Sequence, residues 1–210
     1  MMWKKGSIYR NDESVEQSQP QTIIESVMKE KDSISTSSVN KIYFYSDVTK
    51  ESIYILNRQL DEISRHLKNI QHTYELENPP PSKLYISSDG GEIFSAISTV
   101  DRIKNCDVPV YTYCEGMVAS AATLISVSGH KRFINKNSCI LIHQVSSGMW
   151  GTYMNFKDEI QNLDLLMKMV KEIYLTNTKF KESDLDSLLK RDIYLTAKEC
   201  KKWGLVDEII

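Results

Sequence analysis

From residue 41 onwards the chain alternates between two hydrophobic rhythms. "KIYFYSDV" (41–48), rich in aromatic and β-branched side chains, predicts a strand. Ile53, Leu56, Leu60, Ile63, Leu67 and Ile70 then recur at steps of three and four, one apolar stripe on a helix that "ENPPP" at 77–81 ends. "KLYIS" (83–87) predicts a second strand, followed at once by Asp89-Gly90-Gly91. Ile93, Ile97, Val100 and Ile103 predict another helix, leading into a strand at "VPVYTYC" (108–114). The small and apolar residues of "EGMVASAATLISVSGH" (115–130) read as a buried helix, with "KRFIN" and "CILIHQ" (139–144) as strands after it.

A long helix from about 154 to 176 carries Phe156, Ile160, Leu163, Met167, Val170 and Tyr174 on one stripe. Its other faces hold Leu165, Leu166, Met169 and Ile173, more apolar surface than one domain face needs. The excess predicts a subunit interface, with Met167 and Val170 inside it. A short helix (183–190), the strand "DIYLT" and a helix opened by the capping box Thr196-x-x-Glu199 complete the pattern. Alternation of strand and helix in this order predicts an α/β fold with crossover connections, in one domain over 40–210. Residues 1–39, rich in Ser, Gln, Glu, Lys and Asp, predict a mobile or processed N-terminal segment.

Composition narrows the function classes. A formal net charge of -2 argues against a partner held by a broad basic surface, so no nucleic acid is expected. No apolar run approaches the roughly 20 residues of a membrane span. Cys106, Cys114, Cys139 and Cys200 are scattered, with no CxxC and no histidine at ligand spacing. Free, mostly buried thiols in a reducing interior are expected, with neither a metal site nor a disulfide framework.

With four histidines, the search for acid–base chemistry is short. His66 and His72 belong to the charged side of a helix and His130 to a turn before a strand, so all three read as solvated. His143 ends an apolar strand, where a polar ring is either a satisfied strand-end residue or a placed base. Ser120 is equally two-sided: a helix cap or packing residue, or a nucleophile. No G-x-S-x-G signature is present. Gly90-Gly91 marks a turn, yet such a turn also leaves backbone N–H groups bare, as an oxyanion site requires. Together a bare-amide turn, a serine at a helix start and a histidine at a strand end form the parts of an acyl-transfer site.

Those residues also carry a family resemblance. The stretch from "KIYFYSDV" to the C-terminus resembles the proteolytic subunit of the Clp protease and its phage-type relatives. "YISSDGG" is similar to that family's "INSPGG" segment, "GMVASAA" to its "GxAAS" nucleophile motif, and "CILIHQ" to its "IMIHQ" strand. "RDIYLTAKECKKWGLVDEII" is similar to its "RDRFLSAxEAxxYGLVDxI" ending. The resemblance implies a crotonase/ClpP-like repeated β-α-β superhelix with a protruding handle helix, here the helix from about 154. It implies Ser120 as nucleophile, His143 as general base and Asp192 as the carboxylate that orients it. The backbone amides of Gly91 and Ala121 would form the oxyanion hole, and Gly148 and Gly151 would lie on the strand that pairs with extended peptide. Arg191 would couple ring contacts to the order of the site.

An ATP-dependent Clp-type serine endopeptidase is thereby implied, acting without metal or organic cofactor; only a partner unfoldase would use ATP. Its subunits would form heptameric rings stacked as a tetradecamer, from self or paralogous copies, and would cut unfolded or short polypeptides. Cytoplasm is the expected compartment, or an organelle interior if residues 1–39 act as a transit segment. Two departures bear on this. Asp89 stands where the family has proline, and Lys83 where an aromatic lines the pocket for an unfoldase loop, which disfavours docking of a Clp-type ATPase. A second expectation is a weakly active or inactive structural ring subunit paired with an active paralogue. The third is acyl-CoA chemistry on the shared crotonase fold, which needs no Ser–His–Asp set.

Overall fold

The computed structural model describes residues 40–210, so the expectation for residues 1–39 lies outside the described residues. The first strand, β1 (Lys41–Phe44), is shorter than its sequence pattern, and the chain returns to the sheet only at an isolated bridge between Val48 and Gly91. Helix α1 (Lys50–Thr73) starts from a capping box between Thr49 and Ser52 and buries Ile53, Leu56, Leu60 and Leu67, the predicted stripe. In β2 (Ser82–Ser88) burial alternates residue by residue, with Leu84 and Ile86 inside. Helix α2 (Ile93–Lys104) follows and packs Ala96, Thr99, Val100 and Ile103 inward.

The next strand, β3 (Val110–Ala119), corrects the sequence reading: residues 115–119 are strand, and helix α3 is only Ala121–Val127. The physical reason is a change of partner. Residues 111–114 of β3 pair with β4 (Lys131–Ile134), whereas 117–119 pair with β5 (Cys139–Leu141). The β2–β3 register shifts between Ile86 and Ser88, so an irregularity in the ladder lies where the strand changes neighbours. Small residues there mark close packing, not helix.

The 25-residue helix α4 (Tyr153–Asn177) is capped by Thr152 and Asn155. It is followed by α5 (Glu182–Leu189), β6 (Leu195–Thr196), α6 (Ala197–Trp203) and β7 (Glu208–Ile209). The capping box expected at Thr196 and Glu199 is formed. Strand "DIYLT" is reduced to its last two residues, because only Leu195 and Thr196 meet a neighbour, β5. The sheet runs β1-β2-β3-β4-β7, all parallel, with β5 joining β3 in parallel and β6 joining β5 antiparallel. Its apolar faces, with α1, α2, α3 and the C-terminal half of α4, form the core.

Helix α4 divides into two parts. Val170 and Tyr174 are buried in the subunit, and the Met167 thioether accepts the Val145 N–H at 3.2 Å. Val170 is therefore committed to its own subunit and Met167 packs against the same core, which corrects their placement in an interface. The surplus apolar surface lies further towards the N-terminus, where Tyr153, Met154, Phe156, Ile160 and Leu165 are exposed, continuing from Trp150, which is 98% exposed. No helix among the described residues is long and apolar enough to cross a membrane.

Candidate active site

At the end of β3 the chain turns sharply into α3, and Ser120 occupies the turn with φ 54° and ψ -130°. Positive φ is rare for a residue with a Cβ and costs on the order of 1–3 kcal/mol, so surrounding bonds must hold it. They are present. Ser120 N–H donates to Leu141 C=O at 2.9 Å, and Ser120 C=O accepts the Thr123 N–H at 3.0 Å and the Thr123 hydroxyl at 2.5 Å. The side chain of Ser120 makes no capping bond, which removes the reading of a helix cap. A strand–turn–helix elbow of this kind lifts the serine oxygen clear of its own backbone.

The glycines that usually flank such an elbow are absent; the room comes from across the sheet. A Cβ on Gly90 would lie 2.6 Å from Ser120 Cβ and 3.0 Å from Ala121 N. On Gly91, at φ +140°, it would overlap the Val48 carbonyl oxygen. Only glycine fits either place. Val48 N–H donates to Gly90 C=O at 2.7 Å and Glu92 N–H to Val48 C=O at 2.8 Å. Both bonds leave Gly91 N–H turned away from Val48, and neither Gly91 N–H nor Ala121 N–H has a hydrogen-bond partner among the described residues.

The histidine arrives through the same framework. Since Leu141 C=O holds Ser120, the two residues that follow carry His143 to the elbow, although the strand itself stops at Leu141. Gln144 N–H donates to Leu189 C=O at 2.7 Å, fastening this segment to the end of α5. Arg191 N–H turns back onto Leu188 C=O at 3.0 Å, and Asp192 comes next. The result is 3.8 Å between His143 Nδ1 and Asp192 Oδ1, with side-chain exposures of 25% and 82%. That separation is longer than a hydrogen bond. Arg191 is exposed, as are Gly148 and Gly151, which lie in an irregular segment, residues 142–152, with no strand pairing of its own.

Ser120 and His143 line one cavity of about 250 Å³, together with Gly91 and Ala121. Its apolar walls are Ile93, Leu124, Val145 and Val170, with Tyr174 at the α4 side; Glu92 also lines it, its carboxylate accepting the Ser95 hydroxyl at 2.9 Å. Asp192 and Arg191 stand outside this lining. A larger open cleft of about 630 Å³ runs between α1 and α2, where Arg102 pairs with Asp61 and no histidine is among the lining residues. Among the described residues no cluster of His, Cys, Asp or Glu could hold a metal ion. All four cysteines are free, and burial pushes the Cys114 and Cys200 thiols up to about 12, so neither supplies a thiolate. Cys106 and Cys139 are only partly buried. The other histidines are exposed, and His130 is tied to β3 by its Nδ1, which accepts the Val110 N–H at 3.1 Å.

A family model, that of the Clp protease, matches residues 35–210. The chain belongs to the Clp protease family. Among solved structures it is similar to that of a ClpP1 mutant from Listeria monocytogenes, at 22% identity and a TM-score of 0.69, over 88% of this chain and 95% of that one. The fold expected from the sequence, ClpP-like α/β with a parallel sheet, is the fold found. In family this is a Clp-type serine peptidase, a hydrolase.

Pattern alone does not reveal the second ring of the site. Tyr174 reads as one more member of an apolar stripe and Thr123 as a helix filler. Yet their hydroxyls meet at 2.5 Å directly behind Ser120. The only sequence signal is a hydroxyl three residues after Ser120; its partner lies 51 residues away.

Proposed function

We propose that the chain is a serine endopeptidase subunit of a self-compartmentalised ring, hydrolysing peptide bonds of unfolded or short polypeptides. The observation that carries this is the strained Ser120 elbow, sharing one cavity with His143 and two backbone N–H groups that have no partner among the described residues. In this reading His143 takes the Ser120 hydroxyl proton as Oγ attacks the carbonyl carbon, and Gly91 and Ala121 N–H receive the resulting oxyanion. His143 then protonates the leaving amine, and water repeats the sequence to release the acyl group. Asp192 orients the imidazole, and Gly148 and Gly151 offer backbone groups to an extended peptide. Metal and organic cofactor have no part in these steps.

The apolar N-terminal half of α4 supports assembly of rings, heptameric and stacked as a tetradecamer in this proposal, with Arg191 linking ring contacts to Asp192. A second reading, a silent structural subunit beside an active paralogue, has the 3.8 Å His143–Asp192 gap in its favour. One experiment separates them: treat the purified particle with a serine-directed fluorophosphonate, and measure its mass and the labelled peptide. A ring-sized particle labelled at Ser120 is expected. A ring that takes no label would establish the structural subunit instead.

The partner is the remaining element of the proposal. Lys83 sits on β2 between Lys41 and Tyr111 in register, on the face opposite Leu84 and Ile86. Beside it Tyr43, Tyr85, Tyr113 and Phe133 stack as a row, with centroids 4.6–4.9 Å apart. An unfoldase loop that buries an apolar side chain gains ~1.5–3 kcal/mol, and a lysine ammonium beside it erodes that gain by desolvation. Weak association of a Clp-type ATPase is expected for the wild type and stronger association for Lys83→Tyr, read by pull-down and ATP-dependent degradation of a folded substrate. Micromolar binding by the wild-type ring would show that Lys83 does not oppose docking.

A further inference from the structure

The Ser120–Ala121 peptide is one planar group, so whatever fixes its carbonyl also fixes its N–H, which points the opposite way. The carbonyl side is unusually well held. Thr123 donates to it twice, from its N–H at 3.0 Å and from its hydroxyl at 2.5 Å. A threonine hydroxyl has a single proton, and here it is given to Ser120 C=O. The Tyr174 hydroxyl, 2.5 Å from Thr123 Oγ1, must then be the donor in that contact. Both Thr123 and Tyr174 are buried, so water does not compete. A chain of hydrogen bonds thus runs from Tyr174 on α4 through Thr123 to the carbonyl behind the nucleophile. At the other end of the same peptide, Ala121 N–H has no partner among the described residues, and Ala121 lines the cavity shared by Ser120 and His143.

We infer that Tyr174 and Thr123 are positioning residues for the oxyanion donor: together they lock the Ser120–Ala121 peptide with Ala121 N–H facing the cavity, and polarise it. The inference rests on the peptidase reading above and adds to it which side chains aim the amide. Hydrogen bonds in series strengthen one another, so a carbonyl loaded from behind makes its own N–H a better donor. The chain also gives α4 a direct line to the site. Burial raises the Tyr174 hydroxyl well above its ordinary range, so it stays protonated and able to donate.

Tyr174→Phe keeps the ring and the cavity wall and removes only the donor. Thr123→Val keeps the shape and removes the relay, whereas Thr123→Ser restores a hydroxyl. Removing an oxyanion donor outright costs about 10²–10³ in kcat, so misaiming one should cost less. For hydrolysis of a short fluorogenic peptide, kcat is expected to fall about 10–30-fold in Tyr174→Phe and Thr123→Val, with KM within about threefold of wild type. Thr123→Ser should stay within about threefold in kcat. Labelling of Ser120 by a small fluorophosphonate, which does not fill the side-chain cavity, should slow in parallel. Amide exchange at residues 119–127 should quicken about tenfold in the two disabled variants. A change confined to KM or to side-chain preference would make Tyr174 a wall of the cavity and overturn the proposal. Unchanged exchange in both variants would overturn the locking itself, whatever the activity. A wild type that neither hydrolyses peptide nor takes the label would overturn the peptidase reading and the catalytic use of the pair with it, while exchange still reports on the pair alone.

Discussion

Ser120→Ala is expected to lower peptide hydrolysis by at least ~10³-fold while leaving the particle and its melting temperature nearly unchanged. Loss of a triad nucleophile leaves only binding and oxyanion effects, and single losses of nucleophile or base cost nearly as much as losing the whole set. Folding is spared because the hydroxyl of Ser120 makes no capping bond; the elbow is held by its backbone, through Leu141 C=O and the Thr123 N–H and hydroxyl. Alanine tolerates positive φ no better than serine, so stability should move by less than about 1 kcal/mol. His143→Ala should be as damaging to turnover, since without a base the hydroxyl stays protonated. His130→Ala should leave turnover intact, because that ring is bound to β3 by Val110, away from the cavity lining. Steady-state kinetics on a short peptide, with mass measurement of each particle, reads all three. Residual turnover above a tenth of wild type in Ser120→Ala would reject the nucleophile. A damaging His130 variant beside a harmless His143 variant would reject the base.

Local rhythm makes most of the architecture legible, for a physical reason. Helix α1 buries Ile53, Leu56, Leu60 and Leu67 because a stripe at steps of three and four has one place to go, and β2 alternates because its two faces meet different surroundings. Residues 115–119 read as helix, and fold as strand, because Gly, Met, Val and Ala there answer to two neighbouring strands and to Gly90, none of them local. The same distance hides the elbow: its sequence lacks flanking glycines, and the glycine that makes room for it comes 30 residues earlier, across the β2–β3 pair. Ser120 and His143 pair as candidates because each is a polar residue in an apolar run. Asp192 offers no such contrast; its place depends on how Gln144 ties down the end of α5, and only family resemblance points to it. The hydroxyl pair of Thr123 and Tyr174 carries no signal of its own, since a tyrosine at an apolar position of a helix looks like packing.

Charging the exposed half of α4 should dismantle the assembly and most of its activity together. Ile160 and Leu165, 59% and 58% exposed, present apolar surface with no cover in their own subunit. Sequestering such side chains between subunits would gain on the order of 1.5–3 kcal/mol each when complete, and a carboxylate in their place must be desolvated without a partner. Ile160→Asp with Leu165→Asp should therefore yield single rings or smaller species in sedimentation, while circular dichroism stays native because neither residue serves the core. Activity should follow by a route visible in the site. Within one subunit Asp192 is 82% exposed and 3.8 Å from His143 Nδ1, a geometry in which a carboxylate orients imidazole poorly. Full loss of that orientation in a serine triad costs about 10⁴ in kcat, so partial loss of about 10–100-fold is expected for the dissociated particle. Two readouts make this decisive. An unchanged sedimentation coefficient would mean that the α4 surface is not the interface. A smaller particle with full peptide turnover would mean that Asp192 is aligned within the subunit, and that ring contacts do not reach the catalytic site through Arg191.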